Sequence, residues 1–190
     1  MSFFKFLLKT KLINNQMLTN NIIYGAGILF YTKSIEQTPY FFLGKDWDNK
    51  WSNFGGACEA TDKSDPEITA ARESWEETLG CIEDYELIKN TLTKFNSQCI
   101  KCKTPSGYPY YMYLVKVPFN TNYRHRFLST KKFISKIHVD KKFLEINDVK
   151  WVSYETIQNS IGSKQPLIKL RGIFEQTLAD NKEVIDKIIL

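Results

Sequence analysis

Residues 55–80 read Gly55-Gly56-Ala57-Cys58-Glu59-Ala60-Thr61-Asp62-Lys63-Ser64-Asp65-Pro66-Glu67-Ile68-Thr69-Ala70-Ala71-Arg72-Glu73-Ser74-Trp75-Glu76-Glu77-Thr78-Leu79-Gly80, and the fold is organised around them. Two glycines and a polar loop lead into a helix with a well-marked start. Asp65 is a good N-cap, Pro66 suits the first helical position, and Glu67 sits where the helix dipole favours negative charge. Gly80 is a natural stop. At 100° per residue Ile68, Ala71, Trp75 and Leu79 fall within about 80° of arc, an apolar stripe that must face a core.

Glu73, Glu76 and Glu77 occupy another side, at the i, i+3, i+4 spacing of helix neighbours. Three adjacent carboxylates repel one another, and Arg72 alone is locally placed to offset them. A divalent cation would remove the conflict, and oxygen-rich carboxylate sites suit Mg²⁺ or Mn²⁺. The competing reading is a solvated acidic face with an ordinary Arg72–Glu76 pair, worth a few tenths of a kcal/mol. The Gly-Gly turn and the capped entry ahead of the carboxylates favour the metal site.

With Gly56, Arg72, Glu73, Glu76, Glu77 and Gly80 in these places, the stretch resembles the Nudix box, the signature of the Nudix hydrolases. That pattern is Gly, five residues, Glu, seven residues, then Arg-Glu-U-x-Glu-Glu-x-Gly-U, with U a bulky aliphatic residue. Four departures stand out. The loop from Gly56 to Arg72 is two residues longer, and Ser64 stands eight before Arg72 in place of Glu. Ser74 replaces the first aliphatic residue, and Leu79 delays the closing glycine by one position. Loop insertions are cheap, and the carboxylate spacing is intact.

The 190 residues suit one domain, with residues 1–20 as an N-terminal extension and 21–190 as the folded unit. Hydrophobic content of 43% and aromatic content of 14% argue for an ordered globular chain. The net charge of +5 favours an anionic ligand without specifying nucleic acid. The opening Met-Ser-Phe-Phe-Lys-Phe-Leu-Leu-Lys is too short and too interrupted by lysine to span a membrane, so no stable membrane insertion is expected. An amphipathic targeting role for it stays open beside a plain extension, and the expected compartment is the cytoplasm. Cysteines 58, 81, 99 and 102 form no disulfide framework in a chain of this length. Cys99-x-x-Cys102 lacks the second pair that structural zinc requires.

Residues 22–33 and 40–44 read as strands, the first opened by the small residues Gly25 and Gly27. Runs 85–102 and 108–118 read as strands around the loop Lys103-Thr104-Pro105-Ser106-Gly107. Tyr110 is one of several aromatics in the second run; it packs the sheet or stacks on a base. Residues 123–139 read as a basic helix. Arg124, Arg126, Lys131 and Lys132 there are either a solvated face or a surface for substrate phosphates or RNA. Residues 148–154 read as a last strand and 166–190 as a closing helix.

Alternating strand and helix signals give an α+β domain. The resemblance sharpens this to a Nudix-type α/β/α sandwich with a mixed β-sheet, over about residues 22–175. It also implies a pyrophosphohydrolase that cleaves a nucleoside diphosphate linked to another moiety. Glu73, Glu76, Glu77 and the Gly56 carbonyl would bind Mg²⁺ or Mn²⁺, Arg72 would orient a glutamate, and Glu145 matches a region where some members place an extra catalytic acid. A nucleotide-type small molecule is the expected partner. A capped RNA, as in the decapping branch, and a non-catalytic nucleotide- or RNA-binding module are the alternatives.

Overall fold

A computed structural model describes residues 24–94 and 97–190. The expected N-terminal extension, and Ile22 and Ile23 of the first expected strand, lie outside the described residues. Seven strands form one mixed sheet: β1 (Gly25–Lys33), β2 (Pro39–Lys45), β3 (Trp51–Ser52), β4 (Phe54–Ala57), β5 (Gln98–Lys103), β6 (Pro109–Lys116) and β7 (Asp148–Ser153). Three helices, α1 (Pro66–Thr78), α2 (Tyr85–Lys94) and α3 (Asn122–Ile134), precede β7. Another three follow it: α4 (Tyr154–Gln158), α5 (Gly172–Asp180) and α6 (Lys182–Ile189).

Strand β1 is central. It pairs antiparallel with β2 and β4 and parallel with β6, while β7 extends the sheet beyond β2 and β5 extends it beyond β6. Its side chains alternate faces, as pleating requires. Ala26, Ile28 and Phe30 join Phe42, Tyr113 and Val115 in a core shared with Ala71 and Trp75 of α1, Ile88 and Leu92 of α2, and Phe127 of α3. Leu29 joins Phe41, Leu43, Met112 and Leu114 in a second core with Ile157 of α4, Phe174 of α5 and Ile185 of α6. Helices therefore cover both faces, and the expected α/β/α sandwich with a mixed sheet is the observed architecture. Among the described residues no helix is long and apolar enough to cross a membrane.

One change of strand partner builds the floor of the site. Trp51 and Ser52 pair with Lys45 and Gly44 of β2, and Phe54 to Ala57 then pair with Ile28 to Gly25 of β1. This brings the backbones of Gly27 and Gly55 so close that a Cβ on Gly27 would lie 2.2 Å from the Phe54 carbonyl oxygen. Only glycine permits that approach.

Three sequence expectations need correction. Residues 85–94 are helix rather than strand. The Asp84 carboxylate caps the start by accepting from the Leu87 amide at 2.9 Å, and Ile88 and Leu92 bury one helical face while Leu87 stays exposed. The closing helix is two helices, with a break at Asn181. A short helix, α4, also follows β7, capped by the Ser153 hydroxyl. Cys99 and Cys102 fall an odd number of residues apart on β5 and so project to opposite faces. Cys102 Sγ instead lies 3.3 Å from Thr177 Oγ1 of α5.

Candidate active site

Helix α1 is buried on almost every side, so its acidic side is not a solvated face. Residues Thr69 to Leu79 are all buried apart from the partly covered Glu73. Asp65 caps the start by accepting from the Glu67 amide at 2.9 Å. The helix ends at Leu79, whose φ of 53° is left-handed, with Gly80 following at 64°. Leu79 thus takes a left-handed conformation that favours glycine, at the position where the box pattern has glycine, and the chain's own glycine comes one residue later.

Arg72 is the hub. Its Nε and Nη2 donate to the two oxygens of Asp62 at 2.9 and 2.8 Å, and Nη2 also donates to the Ala57 carbonyl at 2.9 Å. Its Nη1 donates to Glu73 at 2.7 Å and to Glu76 at 3.4 Å. This forked geometry is the strong form of an arginine–carboxylate contact. Asp62 additionally accepts from Thr69 Oγ1 and from the Glu59 amide, each at 2.8 Å. Burial alone would raise the Asp62 pKa. Its hydrogen bonds to Arg72, the Glu59 amide and Thr69 outweigh burial and hold it below the ordinary carboxylate value.

The three box glutamates are held differently. Glu77 accepts from the Gly55 amide at 2.6 Å, a contact made possible by the strand crossover. Glu76 accepts from Lys142 Nζ at 2.7 Å. Glu73 lies against Gly56, where a Cβ would meet its carboxylate oxygens at 2.6 and 2.8 Å. Glycine at 56 therefore leaves the space that Glu73 fills. Burial raises all three pKa values, with help from the neighbouring carboxylates. Glu73 is pushed up to about 7, Glu76 is raised, and Glu77 is raised well above the ordinary value.

Glu59, Asp62, Glu73, Glu76 and Glu77 thus set five carboxyl groups against Arg72 and Lys142, with Arg171 acting on Glu77 as a third cation. The surplus negative charge and all-oxygen donors match the chemistry of a hard divalent cation. Among the described residues, no group of three or more His, Cys, Asp or Glu side chains is placed to hold a metal ion as it stands. Glu73 is turned to Arg72, and Glu76 to Lys142 and, at 3.4 Å, to Arg72.

Of the residues expected outside the box, Glu145 ends a short 3-10 turn (Lys141–Leu144), is exposed, and lies near enough to Glu77 to help raise its pKa. Tyr110 donates no contact to the carboxylates. Its hydroxyl accepts from Asn53 Nδ2 at 2.9 Å, beside Gly55. Arg124 forms a two-pronged pair with Asp148 at 2.8 and 3.0 Å. Lys131 is committed to the carbonyls of Leu144 and Ile146 and to Asn147 Oδ1. Arg126 lies at the C-terminal end of α1, beside Leu79, Gly80 and Glu83. Lys132 is exposed on α3. Of these five expected substrate contacts, Tyr110 alone is brought beside the carboxylate cluster. A narrow recess of about 50 Å³ opens there, lined by Asn53, Gly55, Tyr110, Met112, Arg171 and Phe174.

Sequence reading missed Asp62, though a signal was present. Counted forward from Gly56, five residues precede Asp62, which is where the box pattern has its first Glu. Nine residues then separate it from Arg72 instead of seven, so counting back from the arginine lands on Ser64. The lysine that meets Glu76 and the arginine that lines the recess carried no such signal.

The NUDIX domain family model matches residues 25–170. A C. elegans Ap4A hydrolase binary complex superposes with a TM-score of 0.48 at 14% identity, over 86% of this chain and 98% of that one. The NUDIX domain of Shewanella oneidensis NrtR, complexed with ADP ribose, gives 0.49 at 11% identity, over 93% and 97%. The C-terminal domain of mouse MUTYH, in complex with human PCNA, gives 0.50 at 10% identity, over 87% and 91%. No curated protein matches the chain. Identities this low bear on the fold alone. The family match is of another kind, because it runs from the first residue of β1 through the whole carboxylate cluster to Leu170, which bridges back to Trp51. This chain belongs to the NUDIX domain family.

Proposed function

We propose that the protein is a Mg²⁺- or Mn²⁺-dependent pyrophosphohydrolase that cleaves the diphosphate linkage of a nucleoside diphosphate joined to another moiety. The observation that carries this reading is the buried set Glu73, Glu76 and Glu77, which together with Glu59 and Asp62 outnumbers the cations Arg72, Lys142 and Arg171 that act on it. Burying carboxylates without full pairing costs several kcal/mol per ion in a real protein, a cost that a purely structural helix would avoid.

Glu73, Glu76 and Glu77 would hold the divalent ion, with the Gly56 carbonyl as a further oxygen. An ion held there supplies charge neutralisation for the diphosphate and lowers the pKa of a nearby water. Arg72, locked on Asp62, fixes the positions of Glu73 and Glu76. The Gly55 amide fixes Glu77. Glu73 is our assignment for the proton acceptor, because it is partly exposed where Glu76 and Glu77 are buried. Glu145, exposed near Glu77, is the alternative acceptor. Water attack forms one phosphorus–oxygen bond and breaks the bridging one, giving a nucleoside monophosphate and a second phosphorylated product. The recess beside Gly55, with Tyr110, Asn53 and Arg171, is the proposed seat for part of the substrate.

The basic helix supports a capped-RNA substrate less well than a small nucleotide. Arg124 and Lys131 are spent on Asp148 and on the backbone carbonyls of Leu144 and Ile146. Arg126 and Lys132 are six residues apart, about 240° round the helix, so they form no single phosphate track. A non-catalytic nucleotide- or RNA-binding module is favoured by one observation, the satisfaction of Glu73 and Glu76 by Arg72 and Lys142. Offering nucleoside triphosphates, dinucleoside polyphosphates, nucleotide sugars, dinucleotides and capped RNA with Mg²⁺ or Mn²⁺, and following products by phosphorus NMR, separates the readings. Cleavage at a diphosphate supports the enzyme and names its substrate class. Binding without turnover supports the module.

A further inference from the structure

A larger recess, about 520 Å³, lies at the C-terminal end of α1, with mixed charges that select no ligand class. The contact of Lys142 with Glu76 carries more. Glu76 is 1% exposed, and one of its oxygens receives Lys142 Nζ at 2.7 Å. The same ammonium lies 3.8 Å from Glu59. It therefore stands among the carboxylates at a place where a divalent cation would be drawn.

This position is built into the fold. Lys142 belongs to the 3-10 turn Lys141–Leu144, whose start is capped by Asp140 accepting from the Lys142 amide at 3.2 Å. The next residue, Phe143, is buried and meets Trp75 of α1 edge-on, at 6.3 Å between ring centroids. Trp75 immediately precedes Glu76, so the turn is pinned to the catalytic helix beside the residue that Lys142 neutralises. Lysine suits a removable counter-charge. Its ammonium is a compact point charge on a flexible four-carbon stem, and it gives none of the forked hydrogen bonding that fixes Arg72 on Asp62.

We propose that Lys142 is an internal counter-cation that holds Glu76 until a divalent ion displaces it, so that metal loading is an exchange of cations that sets the threshold for metal uptake. This rests on the metal-dependent reading above. Without metal, Lys142 supplies the short partner of a buried carboxylate whose other contact, from Arg72, is long at 3.4 Å. With metal, its ammonium leaves Glu76 free to ligate. Lys142 is thus a positioning residue whose effect runs through Glu76.

Mn²⁺ binding, measured by electron paramagnetic resonance of the free ion, tests the exchange with wild type, Lys142→Met and Lys142→Arg. Lys142→Met is expected to bind Mn²⁺ roughly ten- to a hundredfold more tightly, the scale of a charged hydrogen bond no longer competed against. It should also melt lower than wild type without metal and gain more from saturating Mn²⁺. Lys142→Arg, which keeps the charge, should stay at wild-type affinity or below it. A merely structural lysine would lower melting equally with and without metal. In the wild type, an amine-reactive ester should label Lys142 more after Mn²⁺ is added, while the exposed Lys136 stays constant; this needs no variant to fold. Unchanged or weaker Mn²⁺ binding by Lys142→Met, or labelling indifferent to Mn²⁺, overturns the exchange and leaves the metal site standing. No Mn²⁺ binding by wild type or either variant overturns the metal reading itself.

Discussion

Asp62 shows how much one side chain carries here. It is 1% exposed and takes both forks of Arg72, whose own burial opposes its charge. Asp62→Asn removes the charge while keeping the size, and leaves a buried guanidinium under-paired. Breaking a buried pair from one side costs about 3–5 kcal/mol. Denaturant unfolding of Asp62→Asn should therefore show a loss of that size, far beyond the few tenths expected of a surface pair. A loss below about 1 kcal/mol would mean that Arg72 is held by its other partners. The residue was hidden for a physical reason. Loop length between a capped helix and a strand is loosely constrained, so two extra residues shifted Asp62 out of register with the arginine it serves, and only folding restores the pair.

At the scale of elements, helix α1 was legible because capping, period and charge spacing all agreed. The α1 terminus was less so. Leu79 adopts φ 53° although its side chain is 4% exposed, so packing overrides backbone preference there. The left-handed conformation costs a non-glycine residue about 1–2 kcal/mol, and burying a leucine contributes about 1.5–3 kcal/mol. Leu79→Gly relieves the first and loses the second, for a small net destabilisation. Leu79→Ala keeps the backbone cost and loses the packing, for about 2–5 kcal/mol. Thermal melts should therefore rank wild type above Leu79→Gly and Leu79→Gly above Leu79→Ala. The reverse order of the two variants would show that backbone strain at Leu79 is negligible. Helix α2 was misread because Tyr85-Glu86-Leu87-Ile88 is a short apolar run, and period alone does not separate strand from helix over such a length. Its cap, Asp84, was the available clue.

For the whole molecule, the raised glutamate pKa values link stability to pH and to metal. A group whose folded pKa lies above its unfolded value contributes stability below the unfolded pKa and loses it as pH rises through the folded one. For Glu73 that window runs from about 4.5 to about 7, and Glu76 and Glu77 act in the same direction. Asp62 has the opposite sign, and its contribution is lost only as pH falls below the ordinary aspartate range. Metal-free protein should thus melt progressively lower between pH 5 and 8, with Glu73 contributing at most about 3 kcal/mol. Saturating Mn²⁺ should flatten or reverse that slope, because it binds the deprotonated carboxylates. A metal-free melting point that rises steadily over this range would contradict the buried, under-compensated cluster. The α+β class and the box helix could be read from the residues, and the sandwich with a mixed sheet followed from the resemblance that the box carries. The recess beside Gly55 and the Lys142 contact could not, because they join residues of β3, β4, β6, α1, α5 and the 3-10 turn that only the tertiary fold brings together.

The central claim is that Glu76 and its neighbours are the seat of divalent-ion-dependent hydrolysis. Its most direct test is the turnover of a diphosphate-linked nucleotide by wild type and Glu76→Gln, with Mn²⁺ and with excess chelator, after matching the two proteins for folding by melting. Wild type is expected to show turnover that chelator abolishes, and Glu76→Gln a fall of at least about a hundredfold, the scale of losing one electrostatic contact to the transition state. Equal turnover by wild type and Glu76→Gln, or turnover indifferent to chelator, would contradict the claim.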